Sequence, residues 1–295
     1  MRKQIVSTIS IDGEEFEGVS ELLDDGFRFY RFTGIIAKSL QYVKTVYFDD
    51  VSSITRERNI LKLKLKSGGE IQITITEKDA IAIDSYMQTL EELLKGRLAR
   101  ATAILAVSNC SILVARFFGT VSNMLMSLHG KVDWKKIEDL TTLIMEYSKS
   151  LNKVHILVSH ELLDLLRKYV IMRDTLKVID ILRRLIINVY NSIMLYIKSA
   201  PTATPEWAYL KVLTETLLIL ETAKLHKYLG NTFEYLRLAD LSSKYAEELS
   251  KIVGRDLSLK LNYVLSGELS TIDYFNEISK HLRRVAADIS ISYKL

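Results

Sequence analysis

The chain has 295 residues, with 40 basic and 36 acidic side chains and a formal net charge of +4. This length allows one to three domains, and the small positive charge falls short of the clustered basic blocks typical of nucleic-acid-binding arms. The single cysteine, Cys110, excludes an intramolecular disulfide and a cysteine-based zinc site.

The first third of the chain has the two-residue alternation of β-strands. It is clearest in the pair of runs 61–66 and 70–76, where Leu and Ile alternate with Lys, Gln and Thr across a glycine-containing link. This pattern predicts a hairpin with Leu63 and Ile73 on its inner face. In all, the sequence predicts strands at 4–11, 15–23, 27–32, 34–40, 43–48, 61–66 and 70–76.

An amphipathic helix over residues 77–94 follows these strands. Two segments, 22–30 and 47–54, resemble parts of pleckstrin-homology (PH), GRAM and related domains. The first matches their early Leu-x-Asp-x-Gly hairpin, and the second matches a strand that ends in an Asp-Asp/Glu pair. Similar segments occur in archaeal adaptors that link chemotaxis to the archaellum. The resemblance covers about a third of the chain and implies a PH-like antiparallel barrel capped by the helix.

Folds of this kind bind phosphoinositides, peptides or other proteins. Five cations near the second hairpin form a candidate patch for an anionic ligand: Arg56, Arg58, Lys62, Lys64 and Lys66. Lysines on the outer face of a strand also keep a sheet soluble and discourage edge pairing. The acidic balance of residues 1–95, with 13 basic and 16 acidic side chains, favours that simpler interpretation.

From residue 96 onward the apolar spacing is helical, and 27 basic residues face 20 acidic ones. The segment 101–128 is long enough to span a bilayer and contains one charged residue, Arg116. Its scattered Ser, Thr and Asn residues favour a buried central helix over a membrane contact or an oligomer interface.

Three features of the later helices stand out. Arg173, Lys177 and Arg184 form a candidate basic helical face, with Asp180 among them. Both prolines of the chain lie in the linker 199–206, a candidate sub-boundary of the helical domain. The last helix carries a candidate docking seam with 3-4-3-4 spacing, made of Phe275, Ile278, Leu282, Val285 and Ile289.

Motifs for catalysis are absent from the sequence. His160, Glu161 and Asp164 resemble a zinc-protease helix, but an aspartate stands where the second histidine is required. The chain has no phosphate-binding glycine loop and no Gly-x-Ser-x-Gly elbow. We therefore expect no enzymatic activity, no metal and no cofactor.

The sequence thus predicts an α+β protein, with a PH-like barrel over residues 1–95 and an all-α bundle over 96–295. We expect an adaptor or scaffold that binds protein partners. We also expect it to be cytoplasmic, because the chain runs directly from Met1 into strand-like sequence with no apolar signal region. Binding to an anionic membrane, binding to nucleic acid and homo-oligomer formation remain alternative hypotheses. Few glutamines beside abundant Ile, Lys and Glu favour a thermophilic or archaeal source.

Overall fold

The computed structural model describes residues 3–34, 39–200 and 204–295. The chain divides into two compact units, one formed by Met1–Thr102 with Val285–Leu295 and the other by Ala103–Arg284. The division differs from a single boundary near residue 95, because it comes slightly later and returns the C-terminal segment to the first unit. Residues on both sides of the 199–206 linker belong to the second unit, although 201–203 lie outside the described residues.

The first unit contains one sheet of eight described strands in the order β4-β3-β2-β1-β7-β6-β5-β8. Neighbouring strands are antiparallel except β5 and β8, which are parallel. The sheet followed by a helical region confirms the α+β class. The sheet is not closed, so the PH-like barrel is not confirmed. The strands are β1 Lys3–Ile11, β2 Glu14–Leu23, β3 Gly26–Thr33, β4 Ser39–Tyr47, β5 Val51–Glu57, β6 Ile60–Leu65, β7 Glu70–Ile75 and β8 Ser292–Lys294.

The second hairpin has the predicted orientation. Leu63 and Ile73 are fully buried, whereas Lys62 and Lys64 lie on the outer face of β6. Successive side chains of a strand point to opposite faces, so the alternation in this hairpin determined which residues enter the core.

Two strands of the structure, β5 and β8, were not predicted from the sequence. The predicted strand 34–40 also differs in its bounds from the strand found in that region. In β5, Val51 and Ile54 are both buried although they are three residues apart, because the register with β6 shifts between Val51 and Ser53. This bulge interrupts the alternation that identifies a strand. β8 is too short to give a periodic signal. The predicted strand 34–40 lies partly on residues 35–38, which are outside the described residues, and β4 begins at Ser39.

The helix α1, Ala80–Ser127, supplies apolar side chains to the core beneath the sheet. Leu90 and Leu94 join the aromatic residues of β3 and of the turn after β4 in this core. Tyr86 is fully buried and its hydroxyl lies 2.9 Å from that of Ser20. Burial raises the pKa of Tyr86 above its ordinary value, so this phenol stays protonated.

The second unit is helical, as predicted. The described helices after α1 are α2 Trp134–Lys153, α3 His160–Ile171, α4 Thr175–Lys198, α5 Trp207–Tyr228, α6 Thr232–Val253, α7 Arg255–Leu259, α8 Leu261–Ser266 and α9 Thr271–Ile289. Side-chain oxygens accept backbone N–H groups at the starts of α2, α3, α4 and α6, and they belong to Asp133, Ser159, Asp174 and Asn231.

The apolar segment 101–128 forms the C-terminal part of α1. In the described part of the chain, α1 alone is long and apolar enough to cross a membrane by length and composition, and 67% of its most apolar window is buried within the protein. Ser108 is fully buried, and its hydroxyl lies 2.7 Å from that of Ser279. Cys110 is also buried, which raises the pKa of its thiol to about 11.

The predicted docking seam on α9 is largely covered by the chain itself. Phe275, Ile278 and Leu282 are buried, and Val285 and Ile289 are partly buried. The 3-4-3-4 spacing of these residues therefore marks the inward face of α9.

We predict that Gly18→Ala lowers the free energy of unfolding by about 2 kcal/mol or more. A Cβ at residue 18 would lie 1.8 Å from the carbonyl oxygen of Tyr30 on the paired strand, so the backbone must move to admit it. Urea denaturation measures the change. Gly96→Ala in α1 is the control: its Cβ has nothing within 4 Å, and the helix should gain up to about 1 kcal/mol. Equal stability of the two variants would contradict the close approach of β2 to β3.

Candidate functional site

The five predicted anion-binding cations lie on or beside the β5–β6 hairpin. The Lys62 ammonium donates to Glu57 at 2.7 Å, and this contact raises the pKa of Lys62. Lys64 is in register with Glu70 across β6 and β7. The cations are spread along the hairpin, with Arg56 and Arg58 at its turn and Lys66 beyond the other end of β6. Acidic residues lie among them, which weakens the attraction for an anionic surface.

The remaining members of that patch also make contacts within the chain. The Lys66 ammonium donates to the carbonyl oxygen of Asp288 at 2.8 Å. The Arg56 guanidinium donates to the carbonyl oxygen of Arg58 at 2.9 Å. An anionic ligand would have to compete with these contacts or share the donors.

The candidate basic helical face spans the α3–α4 turn and α4. Arg173 lies in the turn with a φ of 55°, and Lys177 is in the first part of α4. Arg184 pairs with Asp180 at 3.0 Å. The three side chains are exposed, but the ion pair offsets one of their charges.

Among the described residues, no group of three or more His, Cys, Asp or Glu side chains is placed to hold a metal ion. His160 and Asp164, the near-match to a zinc helix, are exposed on α3. The geometry therefore offers no assembled centre for metal-assisted chemistry in the part of the chain that is described.

The feature best suited to binding is the outer edge of β4. Among the described strands, β4 pairs with β3 alone and stands at one end of the sheet. At the opposite end, the outer edge of β5 is covered by β8. An uncovered strand edge carries backbone donors and acceptors that can pair with another extended chain.

Backbone alternation shows which groups of β4 face outward. The N–H of Phe48, directly after β4, donates to the carbonyl oxygen of Asp25 at 2.8 Å. In an antiparallel pair, hydrogen-bonded and non-hydrogen-bonded positions alternate, so Val46 also pairs toward β3. The N–H and C=O groups of Thr45 and Tyr47 consequently face away from β3.

A groove of about 220 Å³ runs beside this edge. Leu65 contributes apolar surface, while Lys44, Asp50 and Lys66 contribute charge. The combination of an open backbone edge and a neighbouring mixed groove suits an extended peptide, whose main chain would pair with β4 while alternate side chains enter the groove.

Exposed side chains lie on the opposite face of β4 from Lys44 and Val46, which pair with the buried Phe29 and Phe27. Leu40, Tyr42 and Tyr47 on β4 are exposed, and the ring of Tyr42 packs edge-to-face on Tyr30 at 6.3 Å between centroids. Tyrosines provide large contact area with little conformational freedom to lose, which favours their use at interfaces.

Sequence reasoning did not single out this edge. The sequence predicts two strands, at 34–40 and 43–48, where the structure has the single strand β4. Whether a strand is central or terminal depends on pairing between distant segments. The one local signal for a binding edge is that large apolar and aromatic residues stand at Leu40, Tyr42 and Tyr47. Nothing in that pattern distinguishes an edge from a strand that is covered on both sides.

Comparisons of the chain with protein-family models, with curated proteins and with solved structures give no match. Interpretation of the site therefore depends on its geometry and chemistry.

The outward direction of the Tyr47 N–H can be tested by proline substitution. Tyr47 has φ −80° and ψ 148°, which proline tolerates, so Tyr47→Pro should change the free energy of unfolding by less than about 1 kcal/mol. Val46→Pro removes an N–H that donates to β3, together with a buried side chain, and should cost about 2–4 kcal/mol. Urea denaturation compares the two variants. A larger loss for Tyr47→Pro than for Val46→Pro would reverse the assignment.

Proposed function

We propose that this protein is a non-catalytic, intracellular adaptor that binds a protein partner by adding an extended segment of that partner to the outer edge of β4. The observation that carries the proposal is the asymmetry of the two end strands of the sheet: β8 is three residues long, whereas β4 is nine residues long and no described strand covers its outer edge. Strand addition supplies affinity through main-chain hydrogen bonds and specificity through side-chain pockets.

The proposal includes a PH-like fold for the first unit. In its support, seven strands precede a helix whose Tyr86 and Leu90 enter the core of the sheet. The segment 22–30, which resembles the early PH hairpin, spans the turn between β2 and β3. The segment 47–54 covers the connection from β4 to β5, which borders the proposed binding edge.

The groove favours a partner segment that presents both apolar and acidic side chains. Lys44 and Lys66 line it together with a single carboxylate, that of Asp50, and Leu65 supplies apolar surface. The Lys66 ammonium also donates to the carbonyl oxygen of Asp288, so a partner carboxylate would share that donor. An extended peptide places successive side chains on opposite sides, so alternate residues would enter the groove. An acidic residue among them would pair with the lysines.

We predict that Tyr47→Pro reduces partner binding by about tenfold or more, because it removes an outward N–H and places a ring in the path of the incoming strand. Tagged full-length wild type, Tyr47→Thr and Tyr47→Pro would be used to capture proteins from nuclease-treated native extract. Tyr47→Thr removes the same aromatic side chain but keeps the N–H, so it is the matched control.

A protein that is retained by wild type and by Tyr47→Thr, and lost with Tyr47→Pro, supports strand addition. Equal recovery with all three proteins excludes the β4 edge as the binding site. Sedimentation of the purified protein distinguishes a second copy of this chain from a different partner, because self-pairing through β4 would make Tyr47→Pro monomeric.

A further inference from the structure

The α3–α4 and α5–α6 hairpins of the second unit are built on the same turn. In the first hairpin, the N–H of Asp174 donates to the carbonyl oxygen of Tyr169 at 3.0 Å, and Arg173 before it has a φ of 55°. The Asp174 side chain then accepts the N–H of Lys177 at 3.0 Å and begins α4.

The second hairpin repeats each of these features. The N–H of Asn231 donates to the carbonyl oxygen of His226 at 2.9 Å, and Gly230 before it has a φ of 71°. The Asn231 side chain accepts the N–H of Glu234 at 3.2 Å and begins α6. The two turns are therefore equivalent residue by residue, from Ile171 with Tyr228 to Leu176 with Phe233.

Equivalent positions of the two turns expose large apolar side chains. Leu176 and Phe233 are 80% and 75% exposed, and each lies two residues after the capping residue of its helix. Ile171 is 78% exposed. A single exposed apolar residue needs no explanation, but the same positions are apolar and exposed in both turns. The tip residues are Ile171, Met172, Leu176, Tyr228, Leu229 and Phe233.

Both turns lie at the same end of the helical unit. The Tyr190 hydroxyl of α4 donates to Glu215 of α5 at 3.1 Å, and the rings of Tyr196 and Trp207 meet at 5.3 Å, so the two helices are antiparallel. A helix rises about 1.5 Å per residue, so the start of α4 lies about 22 Å along its axis from Tyr190. By the same rise, the end of α5 lies about 20 Å along its axis from Glu215. The two tips are consequently level with each other.

Basic residues surround these tips. The stretches 167–177 and 224–237 together hold seven basic and two acidic residues. Of the two acids, Asp174 caps α4 and Glu234 pairs with Arg237 at 2.8 Å. Glu221, just before the second stretch, pairs with Lys224 at 3.4 Å, and the Lys227 ammonium donates to the carbonyl oxygen of Ser266 at 3.0 Å. The seven cations are Arg167, Lys168, Arg173, Lys177, Lys224, Lys227 and Arg237.

We propose that this end of the helical unit, formed by the α3–α4 and α5–α6 turns, docks onto an anionic lipid membrane. Apolar side chains on two helix–helix connections would enter the boundary between headgroups and acyl chains, while the surrounding cations contact anionic headgroups. The surplus of cations makes the surface complementary to anionic lipid. This site is separate from the β4 edge and from the Arg56–Lys66 cations, both of which belong to the first unit.

Vesicle co-sedimentation of the full-length protein tests the proposal. We expect binding to vesicles of phosphatidylglycerol mixed with phosphatidylcholine, weaker binding at high salt, and little binding to phosphatidylcholine alone. The triple variant Ile171→Ser, Leu176→Ser, Phe233→Ser should lose binding by at least about tenfold, because less apolar surface enters the membrane. Its three sites are highly exposed, so the fold should be kept.

The matched control is the double variant Leu157→Ser, Leu195→Ser. Both leucines are 66% exposed, and they lie before α3 and late in α4, away from the two turns. This control should bind vesicles as wild type does, and Tyr47→Pro should as well, so failure of the β4 proposal leaves this result unaffected.

Absence of wild-type binding to anionic vesicles overturns the proposal. So does loss of binding on changing Lys62, Lys64 and Lys66 to glutamate while the tip variant still binds, because the lipid site would then be on the sheet. A wild-type dimer that the triple variant converts to monomer, without vesicle binding, would instead identify the tips as a contact between two copies of the chain.

Discussion

The parallel pairing of the three-residue strand β8 with β5 leaves β4 as the long open edge of the sheet. An open sheet has two edges, and each carries backbone groups that must meet water, the chain itself or another chain. Here a three-residue strand from the C-terminal end of the chain covers the β5 edge, with Ile291 and Tyr293 packed on the core of the same unit. The outer edge of β4 has no such cover among the described strands.

The long helix α1 belongs to both units: its first part is in the sheet unit and its later part is in the helical unit. Its first part supplies Tyr86, Leu90 and Leu94 to the core of the sheet unit. Its later part has the length and composition of a membrane span, yet two of its buried hydroxyls have partners within the second unit. Ser108 meets Ser279, and Thr120 donates to the carbonyl oxygen of Arg116. Hydrogen bonds of this kind let polar residues occupy a buried helix at little cost.

The features that the sequence predicted well depend on local periodicity. The alternation around Leu63 and Ile73 placed both residues in the core. The helical spacing of Phe275, Ile278 and Leu282 predicted a docking seam, and these three side chains are buried in the protein. Both patterns are properties of a single segment, so no knowledge of its neighbours is needed.

The features that the sequence missed depend on pairing or on defects in periodicity. The bulge at Val51 removes the alternation of β5, and β8 is too short to show any. The edge position of β4 and the covered edge of β5 are consequences of strand order, which single-segment patterns do not contain. The equivalence of the two helix turns could not be recognised from the sequence, because Arg173 and Gly230 adopt the same left-handed conformation although their side chains are unrelated.

The two proposed surfaces differ in the physics of recognition, and this difference assigns them different tasks. Strand addition at Thr45 and Tyr47 is directional, because each hydrogen bond requires a backbone group of the partner at a particular register. Contact of Ile171, Leu176 and Phe233 with lipid is not directional, because apolar transfer and attraction between dispersed charges depend on area and charge density. In the proposed function, selection of a partner belongs to the sheet, and docking of the helical tips on a membrane would determine where in the cell that selection takes place.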